Sequence, residues 1–239
     1  MDIASLLGPE PAYLPAVRAN MVSTLTGSAT INDLSEAMGN DTDAQLFQAL
    51  RGWADVVFVG GQTVRSEDYA GVERDSPDSQ PAPIAVPTQS LKFDPGSKFL
   101  THFTTAPLFL LPHAALQSAE VSARKRSIEA AGAEVIDAGE GTMQDYLRVL
   151  RERGFQRILC EGGPGMLGQL VHIDAIDQMY LTLDPHLSTG VEKPVATFHG
   201  THSHRRMQLE NIATDTDSTV FLRYSRTTCL LYTSDAADE

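Results

Sequence analysis

Hydrophobic residues along the chain fall into short continuous runs, and these alternate with longer segments that have helical periodicity. The runs predict strands at 17–25, 55–59, 84–86, 108–111, 134–136, 157–160, 178–183 and 219–224. Helices are predicted from about residue 41 and at 113–131, 142–153 and 164–172. This alternation indicates a mainly parallel sheet with helices on both faces. Because the end of the chain is rich in strands, we expect an antiparallel edge, and therefore a three-layer α/β domain with a mixed, mostly parallel sheet.

The chain divides into one predicted domain with a short segment on either side. Residues 1–16 contain three prolines in their second half and are expected to form an irregular lead-in. The domain itself is predicted at 17–226. Residues 229–239 resemble the translation of a sequencing-library adapter, so we expect a non-native tail there and exclude it from the fold.

Composition and charge narrow the classes of partner. The formal net charge is −13, and such a surface repels nucleic acid and anionic lipid. No segment approaches the ~20 apolar residues of a membrane span. We therefore expect a small-molecule ligand, and neither a nucleic acid nor a membrane. The two cysteines, Cys160 and Cys229, form no disulfide framework, which favours a reducing, cytoplasmic location.

Three histidines, His199, His202 and His204, are the remaining candidates for a metal site. A metal site needs further ligands in fixed positions, and these histidines stand in a segment with Gly, Ser and Thr. We predict a solvated segment there and no bound metal.

Two glycine-containing turns each follow a run that predicts a buried strand. They are Gly60-Gly61-Gln62-Thr63 and Glu161-Gly162-Gly163-Pro164-Gly165. Glycines let backbone approach a ligand closely, and a helix that starts at such a turn presents free N–H groups to a phosphate. Neither turn matches the common dinucleotide or phosphate-loop patterns. The residues alone leave two interpretations open, a tight strand-to-helix connection or a nucleotide-binding turn.

Three longer segments resemble a known family. They are 18–27 (RANMVSTLTG), 49–65 (ALRGWADVVFVGGQTVR) and 157–168 (RILCEGGPGMLG). Together they resemble the RibD C-terminal family, the pyrimidine reductases of riboflavin synthesis, whose fold is similar to that of dihydrofolate reductase. The order and spacing suit this family from about residue 17 to residue 224. The resemblance implies a dihydrofolate-reductase-like fold and a homodimer.

The resemblance also implies NADPH as cofactor and a set of residues that contact it. These are Gly60, Gly61, Thr63, Arg65, Glu161, Gly162, Gly163, Pro164 and Leu167. The two turns would approach the phosphates and the nicotinamide with their backbone. Arg65 is suited to a cofactor phosphate, although a solvated surface charge is the alternative. Glu161 is either a polar group at the floor of the pocket or a turn residue.

On the substrate side the chain departs from the family. The candidates are Asn20, Ser23, Thr24 and Thr26, with Asp41 or Asp43 at the start of the following helix. Thr26 replaces the usual acid, and Asn20 stands where the riboflavin enzymes commonly have lysine. The carboxylate at Asp41 or Asp43 would either hold the amidine edge of a heterocycle or cap the helix.

The predicted reaction is hydride transfer from NADPH to a carbonyl or imine carbon of a pyrimidine- or pteridine-like substrate. The catalytic residue is not identified by the sequence. The changes at Asn20 and Thr26 predict poor activity on the phosphoribosylamino-pyrimidinone of riboflavin synthesis. A non-catalytic nucleotide-binding module on the same fold is the alternative, and turnover of NADPH distinguishes the two.

Overall fold

The structure, a computed structural model, describes residues 1–67, 69–73 and 79–227, so the predicted adapter-like tail lies outside the described residues. One sheet of nine strands forms the centre of this part of the chain. The strands are β1 (Ala16–Thr24), β2 (Val56–Phe58), β3 (Ile84–Pro87), β4 (Leu108–Leu111), β5 (Glu134–Asp137), β6 (Arg157–Cys160), β7 (Gln178–Asp184), β8 (Met207–Thr214) and β9 (Val220–Arg226).

Eight helices connect and cover these strands within the described residues. They are α1 (Ile3–Leu7), α2 (Asp41–Trp53), α3 (Gly61–Ser66), α4 (Lys98–Thr101), α5 (His113–Leu116), α6 (Ala119–Ala130), α7 (Met143–Glu152) and α8 (Pro164–His172). The longest of them, α2, has 13 residues. Across the described ranges, no helix has both the length and the apolar character that crossing a bilayer requires.

The sheet has the mixed, mostly parallel topology that the sequence predicts. Its strand order is β5-β4-β3-β2-β6-β1-β7-β9-β8. All neighbours from β5 to β7 are parallel, while β9 runs antiparallel to both β7 and β8. Since β2 and β6 are adjacent and parallel, the two glycine turns leave the same edge of the sheet.

Alternate residues of the central strands enter two separate hydrophobic clusters. Val57 of β2 and Leu159 of β6 pack with Leu50 of α2 on one face. Phe58 of β2 packs with Leu150 of α7 on the other face. The short apolar runs predict such strands, because a strand covered on both faces has no polar side to show. The result is the predicted three-layer arrangement.

The amino-terminal lead-in is less irregular than expected. Residues Ile3–Leu7 form α1, and Leu6 is buried in the core. The carbonyl oxygen of Leu7 accepts a 2.6 Å hydrogen bond from the Tyr180 hydroxyl, and Arg223 donates to the carbonyl of Leu6 at 3.2 Å. The prolines that suggested irregular structure begin only after this helix has ended.

Two further elements differ from the sequence prediction. The single helix predicted at 113–131 is interrupted, because Ser118 takes the N-cap position of α6 and leaves α5 as one short turn. The strand β8 was not predicted. Most of its residues are exposed at the edge of the sheet, so it lacks the buried alternation by which a strand is recognised in sequence.

Helix α8 is in close contact with the irregular segment that follows β7. A Cβ atom added to Gly168 would lie 2.0 Å from the carbonyl oxygen of Thr197. The Thr197 amide also donates a 3.0 Å hydrogen bond to the carbonyl of Pro164. Gly168 therefore allows the backbone of the loop to lie directly against the helix.

We expect Gly168→Ala to lower the free energy of unfolding by about 1–3 kcal/mol, as overpacking does. Alanine normally gains up to ~1 kcal/mol over glycine inside a helix, so the clash with Thr197 must outweigh that gain. Gly190→Ala is the matched control, because its added Cβ meets nothing within 4 Å. Urea denaturation measures both variants, and equal stabilities would contradict the contact.

Candidate active site

A large cleft opens at the edge of the sheet where β1, β2, β3 and β6 end. Its volume is about 1260 Å³, and it is lined by the two glycine turns, by α2 and by the segments that follow β1 and β7. Ligands of open α/β sheets bind at this edge, because the strand-to-helix turns gather there. The cleft has two different walls, one made of backbone and one made of polar side chains.

The first wall, here called the backbone wall, consists of the turns after β2 and β6. The amide of Gly60 donates a 2.8 Å hydrogen bond to the carbonyl of Gly162. A Cβ atom on Gly163 would lie 2.6 Å from Oγ1 of Thr63, and Gly162 has a φ of +82° that favours glycine. The turns therefore touch each other through backbone, with no space for a larger residue between them.

Helices α3 and α8 begin at these two turns. Neither has a hydrogen bond from a capping side chain, and Pro164 occupies the start of α8. The first N–H groups of a helix have no partner inside it, and they carry partial positive charge. A dinucleotide fits this wall, because the glycines leave its backbone without side chains and its uncapped helix starts suit phosphate.

The second wall, here called the substrate wall, is formed mainly by α2. Asp43, Phe47 and Arg51 are spaced four residues apart along this helix and all line the cleft. Asn20 of β1 and Glu161 after β6 complete the wall. One face of α2 therefore lies opposite the carboxyl ends of two strands.

A buried ion pair joins the helix to the sheet in this wall. Nε and Nη2 of Arg51 donate to the two carboxylate oxygens of Glu161 at 2.7 and 2.8 Å. The Tyr69 hydroxyl donates to the same carboxylate at 2.9 Å, and the Phe47 ring lies 4.2 Å from the guanidinium. Burial alone would lower the pKa of Arg51, but the Glu161 carboxylate outweighs this and raises it. The pair thus holds the Arg51 guanidinium in its charged form.

Asp43 is the acidic residue that α2 contributes to this wall. Its Oδ1 accepts a 2.5 Å hydrogen bond from the Thr182 hydroxyl. Burial raises the pKa of Asp43, and the nearby Asp184 adds to the rise, while the bond from Thr182 opposes it. Asp43 therefore keeps its proton to a higher pH than an exposed aspartate does.

Asn20 has an unusual position in the same wall. Its side chain lines the cleft, yet its Oδ1 is buried and accepts no hydrogen bond within the part of the chain that the structure describes. Buried polar atoms almost always have a partner. A bound ligand or water is the natural partner for this amide.

The cleft brings together about half of the candidate residues. Those that line it are Asn20, Gly60, Gly61, Thr63, Glu161, Gly163 and Pro164. Those outside the lining are Ser23, Thr24, Thr26, Asp41, Arg65, Gly162 and Leu167. The ligand contacts assigned to both groups stay predictions.

The three hydroxyl residues at the end of β1 and just after it are engaged in hydrogen bonds within the protein. Ser23 donates to the carbonyl of Thr24 at 2.9 Å, and Oγ1 of Thr24 accepts from the Ser28 amide at 3.1 Å. Oγ1 of Thr26 accepts from the Ser188 amide at 3.0 Å. These bonds shape the turn after β1 and hold it against the segment after β7.

The other candidates outside the lining have ordinary surroundings. Asp41 is exposed in the first turn of α2, and the carboxylate that reaches the cleft is Asp43. The exposed Arg65 lies with its guanidinium 5.1 Å from the Phe93 ring. Leu167 of α8 is buried in the core.

Arg51 and Tyr69 were not among the candidates. The spacing of Asp43, Phe47 and Arg51 was a usable signal, since residues at every fourth position of a helix share one face. Nothing near Tyr69 in the sequence indicates its bond to Glu161, which is 92 residues away.

The remaining polar groups suggest no second reactive centre. Cys160 is fully buried, and burial raises the pKa of its thiol to about 12, so it packs as an apolar residue. His199, His202 and His204 are exposed. Among the residues that the structure describes, no three His, Cys, Asp or Glu side chains are grouped to hold a metal ion.

We expect Arg51→Met to lower the free energy of unfolding at neutral pH by about 3–5 kcal/mol, because Glu161 then keeps a buried charge without a partner.

Arg148→Met is the matched control, because Arg148 makes an exposed ion pair with Glu152 and its loss should change stability little. Arg51→Met/Glu161→Gln should recover much of the lost stability. A loss from Arg51→Met that is no larger than that of the control would show that the pair is unimportant.

Comparison with known proteins gives a consistent result. The sequence matches the RibD C-terminal domain family over residues 15–221. A pyrimidine reductase-like protein of Corynebacterium diphtheriae is similar in structure, with a TM-score of 0.80 and 27% identity over 95% of this chain and 96% of that chain. No curated protein gives a significant sequence match.

Two more distant structures share the fold. RibD of Acinetobacter baumannii has a TM-score of 0.71 and 17% identity, over 90% of this chain and 58% of that chain. Dihydrofolate reductase of Enterococcus faecalis has a TM-score of 0.53 and 11% identity, over 90% of this chain and 98% of that chain. The chain thus spans a little over half of that RibD protein. The chain belongs to the RibD C-terminal domain family, and it is a reductase of the RibD type with the dihydrofolate-reductase-like fold predicted from its sequence.

Proposed function

We propose that this reductase transfers a hydride from NADPH to a carbonyl or imine carbon of a pyrimidine- or pteridine-like molecule, or of its opened ribosyl derivative. The observation that carries the proposal is that one cleft joins a backbone wall suited to a dinucleotide with a polar wall suited to a heterocycle. The pyrimidine reductase-like relative supports this substrate class.

The backbone wall would hold the cofactor. Gly60, Gly61 and Thr63 would lie against its phosphates, and Gly163 and Pro164 would lie against the nicotinamide end. Arg65 stands at the end of α3 and would meet the additional phosphate that distinguishes NADPH from NADH. When bound, the reduced nicotinamide supplies the hydride, and the chain supplies orientation and exclusion of water.

The substrate wall would supply the proton that completes the reduction. Asp43 carries a carboxyl group whose raised pKa favours the protonated form, and it lines the cleft on the same face of α2 as Phe47. A general acid works best when its pKa lies near the working pH. Asp43, and not the exposed Asp41, is therefore the proposed proton source.

The experiment is an assay of NADPH oxidation with 5-amino-6-(5-phosphoribosylamino)uracil and with dihydrofolate, together with direct measurement of NADPH binding. The same assay with NADH tests the cofactor preference. Turnover supports the reductase. Tight NADPH binding without turnover of any heterocycle would instead support the non-catalytic nucleotide-binding module, and absence of binding would refute both.

We also propose that residues 17–226 form the reductase domain, that 229–239 are foreign to it, and that the protein is a cytoplasmic homodimer. The family resemblance supports the dimer, and the exposed Leu209 and Ile212 on the edge strand β8 offer apolar surface to a second copy. A shortened chain that ends at residue 226 should keep the activity. Sedimentation of that chain tests whether it forms a dimer.

We expect Gly163→Val to abolish NADPH binding, or to weaken it by more than about tenfold, the equivalent of about 1.4 kcal/mol. The branched side chain would be driven into Thr63, whose Oγ1 is 2.6 Å from the position of an added Cβ. The shift in melting temperature with added NADPH measures the affinity. Gly190→Val is the control, and unchanged affinity in a folded Gly163→Val variant would remove this site from the proposal.

We expect Asp43→Asn to lower kcat by about 10²- to 10⁴-fold, the usual contribution of a general acid. In the natural chain, kcat should fall as the pH rises through the raised pKa of Asp43, because the proton is then lost. The variant should lack that fall while it binds NADPH normally. A pH profile that is identical in both proteins would assign the proton to another group.

A further inference from the structure

We infer that the substrate wall selects an uncharged hydrogen-bonding group over a phosphate, and that Asn20 is the residue that makes this selection. The inference rests on the proposed reductase function and names the substrate class of the same site. It follows from the position of Arg51, the buried cation of this wall, which is paired with Glu161.

The register of the sheet places Asn20 beside Glu161. Ala19 of β1 pairs with Cys160 of β6, so the next residues, Asn20 and Glu161, stand at the same level on neighbouring strands. A lysine at position 20 would put its positive charge next to this carboxylate and at the cleft. Asn20 brings no charge to that position.

The positive charge comes from α2 instead, through Arg51. Two N–H donors of Arg51 are used by the Glu161 carboxylate, at 2.7 and 2.8 Å. Its side chain is only 9% exposed and lies over the Phe47 ring. A guanidinium that is paired in this way neutralises Glu161 and is not available to a phosphate.

Acidic side chains around the cleft also disfavour a phosphate at this wall. Besides Asp43, whose raised pKa favours the neutral form, the lining contains Glu36, Glu67, Glu73 and Glu161, and its cations are Arg51, Lys98 and Lys193. Lys193 is 3.3 Å from a carboxylate oxygen of Asp33. A phosphate beside Asn20 would lie next to the Glu161 carboxylate and not at the helix starts of the backbone wall, so it would be repelled more than a neutral heterocycle.

The Asn20 amide is suited to a neutral partner. Its Oδ1 has no hydrogen-bond partner within the described residues, although the side chain lines the cleft. Rotation of the amide by half a turn exchanges oxygen and nitrogen, so it can offer an acceptor or a donor to the ligand. The matching groups are the ring N–H and carbonyl of a lactam, an amino group or a sugar hydroxyl.

The test compares 5-amino-6-(5-phosphoribosylamino)uracil with the same compound lacking its phosphate. We expect the dephosphorylated form to have at least a tenfold higher kcat/KM, and at least a tenfold lower Kd when titrated calorimetrically without cofactor. Equal or better binding and turnover of the phosphorylated form would overturn the inference and leave the reductase intact. Failure of NADPH oxidation with both forms would count against the proposed function, while the calorimetric ratio would still test the inference.

Variants at Asn20 connect the preference to this residue. We expect Asn20→Lys to shift the ratio of the two Kd values at least tenfold toward the phosphorylated form, because one cation then exceeds the charge of Glu161. Asn20→Leu should weaken both forms by about the same factor, since it removes the hydrogen bonds without adding charge. Gln208→Lys, an equal change of net charge on the exposed strand β8, should leave the ratio unchanged. A ratio unmoved in a folded Asn20→Lys variant would refute the role of Asn20.

Discussion

The parallel pairing of β2 with β6 is the constraint on which the site depends. It brings two turns, about a hundred residues apart in the chain, to one edge of the sheet, where Gly60 donates to the carbonyl of Gly162 at 2.8 Å. The contact is made by backbone, and a Cβ on Gly163 would meet Thr63. Helices α3 and α8 begin at these turns, so the contact between the turns also fixes where the two helix starts lie. A change at this contact would therefore displace the backbone wall.

Glu161 couples this wall to the other one. Its amide donates to the carbonyl of Phe58 at 3.2 Å, which continues the pairing of β6 with β2 into the turn. Its side chain is held by Arg51 and Tyr69. One residue thus fixes the turn with its backbone and anchors α2 with its carboxylate.

The sequence predicted those features that are local. The strands at 108–111 and 157–160 and the helix at 164–172 were confirmed, because burial on both faces of the strands and a proline at the start of the helix leave short-range signals. The strand β8 escaped prediction because it is exposed, and the split between α5 and α6 because Ser118 takes the N-cap position without a capping bond from its side chain. In the site, the glycine turns could be found from their own residues. The Arg51–Glu161 pair joins residues 110 positions apart, and only tertiary structure reveals it.

The same distinction separates the cofactor side of the site from its substrate side. A wall made of backbone can be built from many sequences provided that its glycines remain, so the turns resemble the family even where overall identity is low. A wall made of side chains can be altered by single exchanges that preserve the fold. Here a neutral amide stands at Asn20, and the balancing cation is Arg51 on a helix. Fold and family therefore identify the reductase, whereas substrate choice has to be argued from the side chains of the site.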